Sequence, residues 1–279
     1  LIRRLQDTYN AWPPKSNNPY WVHRGSWWIQ WEELSRIFGE WDEEVDQLEQ
    51  YCQASRYLQM ESLRYSVEAT RRREPESSGF IVWMGNEPFA NNANTSVIEY
   101  DGIPKPAYYS LMKVFSGMHI SAKYQTLTYK EKELFESEIY INADEFSELI
   151  DSTYSMTARI INANGEVLKE KDVDIQLSTE ISKVGQLEWN VSPCPYDVFF
   201  LELELKQDNK VHAYNNYTFT INAEKVLEPI RNLPKATVEI ENGNKPNELI
   251  VHNKSYVVAV GLLIREKNTD KFLHFDQNY

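Results

Sequence analysis

From Glu43 to Arg73 the chain holds no Gly or Pro, and Val45, Leu48, Cys52, Leu63 and Val67 recur at helical spacings. This pattern predicts one long amphipathic helix. Pro75 and the Ser77-Ser78-Gly79 cluster end it. Phe80-Ile81-Val82-Trp83 follows, an apolar run without polar alternation, bounded by Gly79 and Gly85. Such a run suits a parallel strand buried on both faces. After a polar loop from Asn86 to Ser96, Pro104 to Met118 reads as a helix with Pro near its first turn and Gly117 at its end. Helix, buried strand, loop and helix form the repeating unit of an α/β barrel.

Beyond His119 the period changes to two. Leu134–Ile141, Tyr154–Ile161 and Val198–Leu205 alternate apolar with polar residues, and Asn162-Ala163-Asn164-Gly165-Glu166 carries an Asn-Gly hairpin signal. Residues 120–222 therefore predict a sandwich of seven to nine strands, of immunoglobulin-like size. The two prolines of Leu227–Lys235 mark a linker, after which Ala236–Glu241, Leu249–Asn253 and Val257–Arg265 predict a further strand set. Its roughly 45 residues are too few for an independent sandwich. The expected architecture is multidomain, α/β plus all-β: barrel elements over 1–118 (helix 7, strand 8 and helix 8 of a (β/α)8 barrel), an immunoglobulin-like β-sandwich over 119–224, and a partial second β-sandwich over 225–279. The chain reads as cut at both ends.

Composition narrows the function classes. With 42 acidic against 29 basic residues, the net charge of −13 disfavours a phosphate backbone or an anionic membrane, so neither nucleic acid nor membrane is an expected partner. A neutral glycan fits better. No apolar run approaches the roughly 20 residues of a membrane span. Two cysteines, Cys52 and Cys194, make neither a disulfide framework nor a metal site, and both read as unpaired structural thiols. His23 has no spacing to the other histidines that suggests a metal, and no cofactor is expected.

Seven of the eight Trp lie in the first 83 residues. Within that third, an ordered set of motifs runs from Tyr57 to Ser116: Tyr57-Leu58-Gln59-Met60-Glu61-Ser62-Leu63-Arg64-Tyr65, Glu68-Ala69-Thr70-Arg71-Arg72, Ser78-Gly79-Phe80-Ile81-Val82-Trp83 and Asp101-Gly102-Ile103-Pro104-Lys105-Pro106-Ala107-Tyr108-Tyr109. Over these 60 residues the chain resembles glycoside hydrolase family 2, nearest its β-mannosidase and exo-β-glucosaminidase branch. Lys271-Phe272-Leu273-His274-Phe275-Asp276-Gln277-Asn278-Tyr279 resembles a strand of that group's last β-domain.

The resemblance implies a retaining exo-β-glycosidase acting on terminal β-linked mannosides, glucosaminides or galactosides, of which this chain is a C-terminal portion. Both catalytic carboxylates would then precede Leu1, and the chain by itself would be catalytically silent. Its expected partners are a carbohydrate substrate and the remaining N-terminal domains of the same enzyme; without them the open barrel edge should self-associate. Trp83 resembles the Trp that lies under the sugar ring, where a flat indole matches the C–H face of a pyranose; its other reading is barrel core. Asn86 and Glu87 fall where related loops carry Asn-Asp and would bond sugar hydroxyls or orient loops, although Met84-Gly85-Asn86-Glu87-Pro88-Phe89 departs from the commoner motif. Glu87 as a catalytic carboxylate would lack its partner. His23 and Arg24 belong to an aromatic loop with Trp21, Trp27 and Trp28, either a rim of the site or packing between helices. The competing reading of the chain is a non-catalytic carbohydrate-binding or structural β-sandwich module.

Overall fold

The computed structural model describes residues 10, 12–15, 17–21, 30–41, 47–89, 95–143, 150–246 and 248–264. The chain divides into two compact units, Leu1–Ser116 with Leu263–Tyr279, and Gly117–Leu262.

The first unit contains helices α1 (Trp31–Phe38), α2 (Gln47–Arg71) and α3 (Pro106–Val114). The predicted long helix is present as α2, while the expected start at Glu43 and Val45 lies outside the described residues. α2 buries Leu48, Tyr51, Ala54, Tyr57, Met60, Arg64 and Val67 at three- and four-residue spacings. It packs against α3, which opens on Pro106 and ends at Val114, inside the expected bounds of Pro104 and Met118; Met118 begins a strand instead. The Arg71 guanidinium donates to the carbonyls of Val114 and Ser116, the latter at 3.0 Å, so one helix supplies donors to the unpaired carbonyl end of the other. Around Tyr51, Trp12 (7% exposed), Trp31 and Trp41 pack by edge and stack at centroid distances of 5.4 to 6.1 Å. Much of the Trp-rich first third is therefore core.

The predicted strand at Phe80–Trp83 does not form. Ile81 is 93% exposed, and among the described residues no strand pairs with this run. A parallel strand is stabilised by neighbours on both edges, and the described part of this unit supplies none. No closed barrel is seen among the described residues.

The second unit is the predicted sandwich. Its strands are β1 (Met118–Lys123), β2 (Thr128–Tyr129), β3 (Leu134–Ala143), β4 (Thr153–Asn162), β5 (Val167–Gln176), β6 (Ile181–Asn190), β7 (Val198–Gln207) and β8 (Lys210–Ile221). They form a three-stranded sheet, β1-β3-β6, and a five-stranded sheet, β2-β8-β7-β4-β5. All pairings are antiparallel except β2 with β8. Strands cross between sheets at β1 to β2, β2 to β3, β3 to β4, β5 to β6 and β6 to β7, connections of the kind found in immunoglobulin-like sandwiches. Inward positions alternate as predicted: Phe135, Ile139 and Ile141 on β3, Tyr154, Met156, Ala158 and Ile160 on β4, and Phe199, Leu201, Leu203 and Leu205 on β7. Phe135 from one sheet meets Phe199 at 5.4 Å and Phe219 at 5.0 Å from the other, and Trp189 closes on Phe199 at 5.1 Å.

The Asn-Gly signal holds. Asn164 and Gly165 lie between β4 and β5; Gly165 has φ 80°, and the Asn162 side chain accepts from the amides of Asn164 and Glu166. β7 breaks strict alternation at its start, where Val198 and Phe200 are buried on the outer face of the sheet. They pack there with Ala163, Ile230, Leu233, Val258 and Val260. The proline linker thus lies on the sandwich, with a short helix α4 (Glu228–Arg231) in it. The last strand set is a hairpin, β9 (Val238–Asn242) with β10 (Leu249–Asn253); residues 257–264 form no strand, and the strand resembling 271–279 lies outside the described residues.

Candidate functional site

The region that carries the predicted sugar-contact residues is built on α2. Arg56 and Gln59, three apart on one helix face, reach the segment 95–99. The Gln59 amide donates to the carbonyls of Thr95 at 2.7 Å and Ser96 at 3.2 Å, and the Arg56 guanidinium pairs with Glu99 at 3.2 Å. That segment in turn pairs with 84–87. Val97 N donates to Met84 O at 3.1 Å, Ile98 N to Gly85 O at 2.9 Å, and Glu87 N to Ile98 O at 3.3 Å. On the other side Lys105 N donates to Val97 O at 2.9 Å, so Ile98 bridges Asn86 in parallel and Pro104 in antiparallel fashion. The turn between these arms closes with Glu99 N to Ile103 O and Gly102 N to Glu99 O, both 2.9 Å, with Gly102 at φ 81°. A side chain at that position would be strained, which accounts for the Asp-Gly pair.

Beneath this three-armed pairing lies a charged cluster. Glu87, Glu99 and Lys105 are each 9% exposed or less. The Lys105 ammonium sits 3.7 Å from Glu87 Oε1 and donates to Ser96 Oγ at 3.1 Å; Ser96 Oγ donates to Glu87 Oε1 at 3.2 Å, and Tyr100 N to Glu87 Oε2 at 3.3 Å. Burial pushes the Lys105 pKa down, Glu87 and Glu99 oppose that shift, and Arg56 adds to it. Two carboxylates and two cations make the cluster formally neutral, which is the condition for keeping charges away from water.

Above the cluster Trp83 stands 75% exposed, joined to Met84 by a cis peptide. Asn86 is exposed as well. The structure therefore brings Trp83, Asn86 and Glu87 onto one short segment but separates their environments: Trp83 and Asn86 face solvent, while Glu87 is turned inward and engaged. His23 and Arg24 lie outside the described residues, as do Trp27 and Trp28; Trp21 is 1% exposed and is packing. Sequence reasoning missed Lys105, Ser96, Glu99, Arg56 and Gln59. Lys105 sits in the Gly-Ile-Pro-Lys-Pro motif and Arg56 and Gln59 lie three apart on a helix, but neither pattern names the distant partner.

Among the described residues no group of three His, Cys, Asp or Glu is placed to hold a metal ion, and no helix is long and apolar enough to cross a membrane. Cys52 and Cys194 are free and buried, and burial pushes each thiol up to about 11.

No protein-family profile and no curated protein matches the sequence. Solved structures do. A β-D-mannosidase from Dictyoglomus thermophilum superposes on 87% of this chain with TM-score 0.62 and 18% identity, over 28% of its own length. An exo-chitosanase from Amycolatopsis orientalis superposes on 80% with TM-score 0.56 and 13% identity, again over 28% of its length. A glycosyl hydrolase family 2 member from Bacteroides cellulosilyticus overlaps more loosely, with TM-score 0.29 over 49% of this chain and 16% of its own. The chain thus shares its fold with part of a β-mannosidase and part of an exo-chitosanase, and spans 28% of the length of each.

Proposed function

We propose that this chain is a C-terminal portion of a retaining exo-β-glycosidase of the family 2 type, which hydrolyses terminal β-linked mannosides, glucosaminides or galactosides. Its first unit would be the end of a (β/α)8 barrel, in which Phe80–Trp83 becomes the last strand once neighbouring strands are present. Retaining hydrolysis requires two carboxyl groups about 5 to 5.5 Å apart, one as nucleophile and one as acid and base. In this reading both lie upstream. The inward-turned and engaged Glu87 is a poor candidate for either role.

The observation that carries the reading is the exposed indole of Trp83 at the end of an apolar run, on a backbone held by α2 through segment 95–99. A solvent-facing aromatic on a fixed backbone supplies a flat apolar face for a sugar ring at little cost in conformational entropy. Asn86, exposed three residues later, offers an amide that both donates and accepts, suited to neighbouring hydroxyls. The partners that follow are a carbohydrate substrate and the enzyme's own upstream domains.

The test is an activity panel. Protein that combines this chain with its upstream coding sequence is assayed on nitrophenyl β-mannoside, β-glucosaminide and β-galactoside, alongside the 279-residue chain by itself. The larger protein should hydrolyse at least one with retention of configuration, and the 279-residue chain none. Turnover by the short chain would refute the placement of the carboxylates. Inertness of both would favour the non-catalytic module.

A further inference from the structure

We infer that the buried Glu87–Lys105 pair, with Ser96 between them, positions Trp83, and that the two are positioning residues for the sugar face that Trp83 presents. The inference rests on the sugar-contact reading for its functional meaning, but its structural content stands independently.

Trp83 is itself 75% exposed, so its own packing does little to fix it. Its placement depends on the backbone that leaves it, and Met84 O and Gly85 O are held by Val97 N and Ile98 N. Val97 is buried and Ile98 half-buried, and neither side chain offers a polar group. Beyond that packing they are held by what flanks them: Ser96, whose hydroxyl lies between the Glu87 carboxylate and the Lys105 ammonium; Glu99, which pairs with Arg56; and Lys105, whose amide bonds to Val97 O. Glu87 closes the loop, because its amide bonds to Ile98 O while its carboxylate reaches Ser96, Lys105 and the amide of Tyr100. One carboxylate therefore ties all three arms of the pairing together. Without that tie the arms would keep their backbone hydrogen bonds and the anchors from Gln59 and Arg56, but no side chain would link all three.

The pair is also an expensive arrangement for mere stability, since apolar residues of similar volume fill such space as well or better. Polar and ionic groups in such a place are expected to specify one arrangement among several. The arrangement specified is the course of the chain from Trp83 to Glu87.

The experiment is fluorine NMR of the whole chain grown on 5-fluorotryptophan, in the absence of sugar. Trp83→Phe assigns the Trp83 resonance and Trp189→Phe assigns Trp189, which packs on Phe199 and reports the integrity of the sandwich unit. In Lys105→Met and in the isosteric Glu87→Gln the Trp83 line should move or broaden at least twofold, with Trp189 unchanged, and Lys105→Arg should restore it. An unmoved Trp83 line in both variants overturns the inference. Should Lys105→Met unfold the first unit, Glu87→Gln, which alters no volume, decides the matter. Because no sugar is present, this outcome is separate from that of the glycoside panel: an inert panel with a moving Trp83 line leaves the positioning intact and removes only its functional meaning.

Discussion

Two apolar stretches, one in each unit of this chain, meet opposite fates. In the sandwich, inward Phe135, Phe199 and Phe219 are fully buried against each other, each supplied by a different strand of the same unit. In the first unit, the equally apolar run Phe80–Trp83 leaves Ile81 93% and Trp83 75% exposed. The difference lies in partners rather than in hydrophobicity: an alternating strand is completed by neighbours a few tens of residues away, whereas a parallel strand depends on neighbours from distant parts of a chain. The sandwich can be understood from its own residues, whereas the Trp83 segment meets no strand among the described residues of its unit.

The largest expected effect sharpens that contrast. Phe199→Ala should destabilise the sandwich by about 3–5 kcal/mol, while Ile81→Ala should change stability by less than about 0.5 kcal/mol; urea unfolding monitored at Trp189 measures both. A comparable loss from Ile81→Ala would mean that its run is packed in solution and would erase the contrast.

Lys105→Met comes next. It leaves Glu87 and Glu99 with only Arg56 to balance them, and should cost the first unit about 3 kcal/mol, read as earlier loss of helical circular dichroism with the Trp189 transition unmoved. Equal loss in the two transitions would show that the charged cluster is not confined to the first unit.

The smallest effect belongs to the sandwich surface. Glu138 accepts from Lys183, from Lys123 at 2.9 Å and from Tyr140 at 3.0 Å, and the two lysines hold its pKa down to about 2 against an ordinary 4.5. A depressed carboxylate stabilises the fold at pH values above 4.5 and loses that contribution as pH falls toward 2. Glu138→Gln should therefore lower the melting temperature by about 2 °C near neutrality, and its difference from wild type should vanish by about pH 2. A constant difference across that window would place the effect in packing instead.

The same contrast governs what could be read from the sequence. The sandwich was legible because alternation, the Asn164-Gly165 turn and buried aromatics all report local geometry. Its one surprise, the outer-face burial of Phe200, depends on Ile230 and Val258, too far along the chain for any period to reveal. The helices α2 and α3 were legible from the lack of Gly and Pro and from Pro106. Phe80–Trp83 was read as a strand because its residues suit one, but an apolar run does not say whether a pairing edge lies beside it, and among the described residues none does. At the candidate site, Trp83 was expected at the end of a buried strand and stands instead on an exposed, unpaired run, with Asn86 exposed three residues on. Glu87 was open between sugar contact and support, and its oxygens face inward. Lys105 and Arg56 were missed because ion pairs between residues 18 and 43 positions apart leave no spacing signature.

The central claim is that Trp83 is a sugar-contacting face completed by the rest of a glycosidase. It is tested most directly by the kinetics of Trp83→Ala in protein that joins this chain to its upstream coding sequence, on whichever nitrophenyl β-glycoside it hydrolyses. Loss of a buried aromatic contact of about 2–3 kcal/mol predicts a fall in kcat/KM of roughly 30- to 150-fold, with the sandwich transition unchanged. An unaltered kcat/KM would contradict the claim.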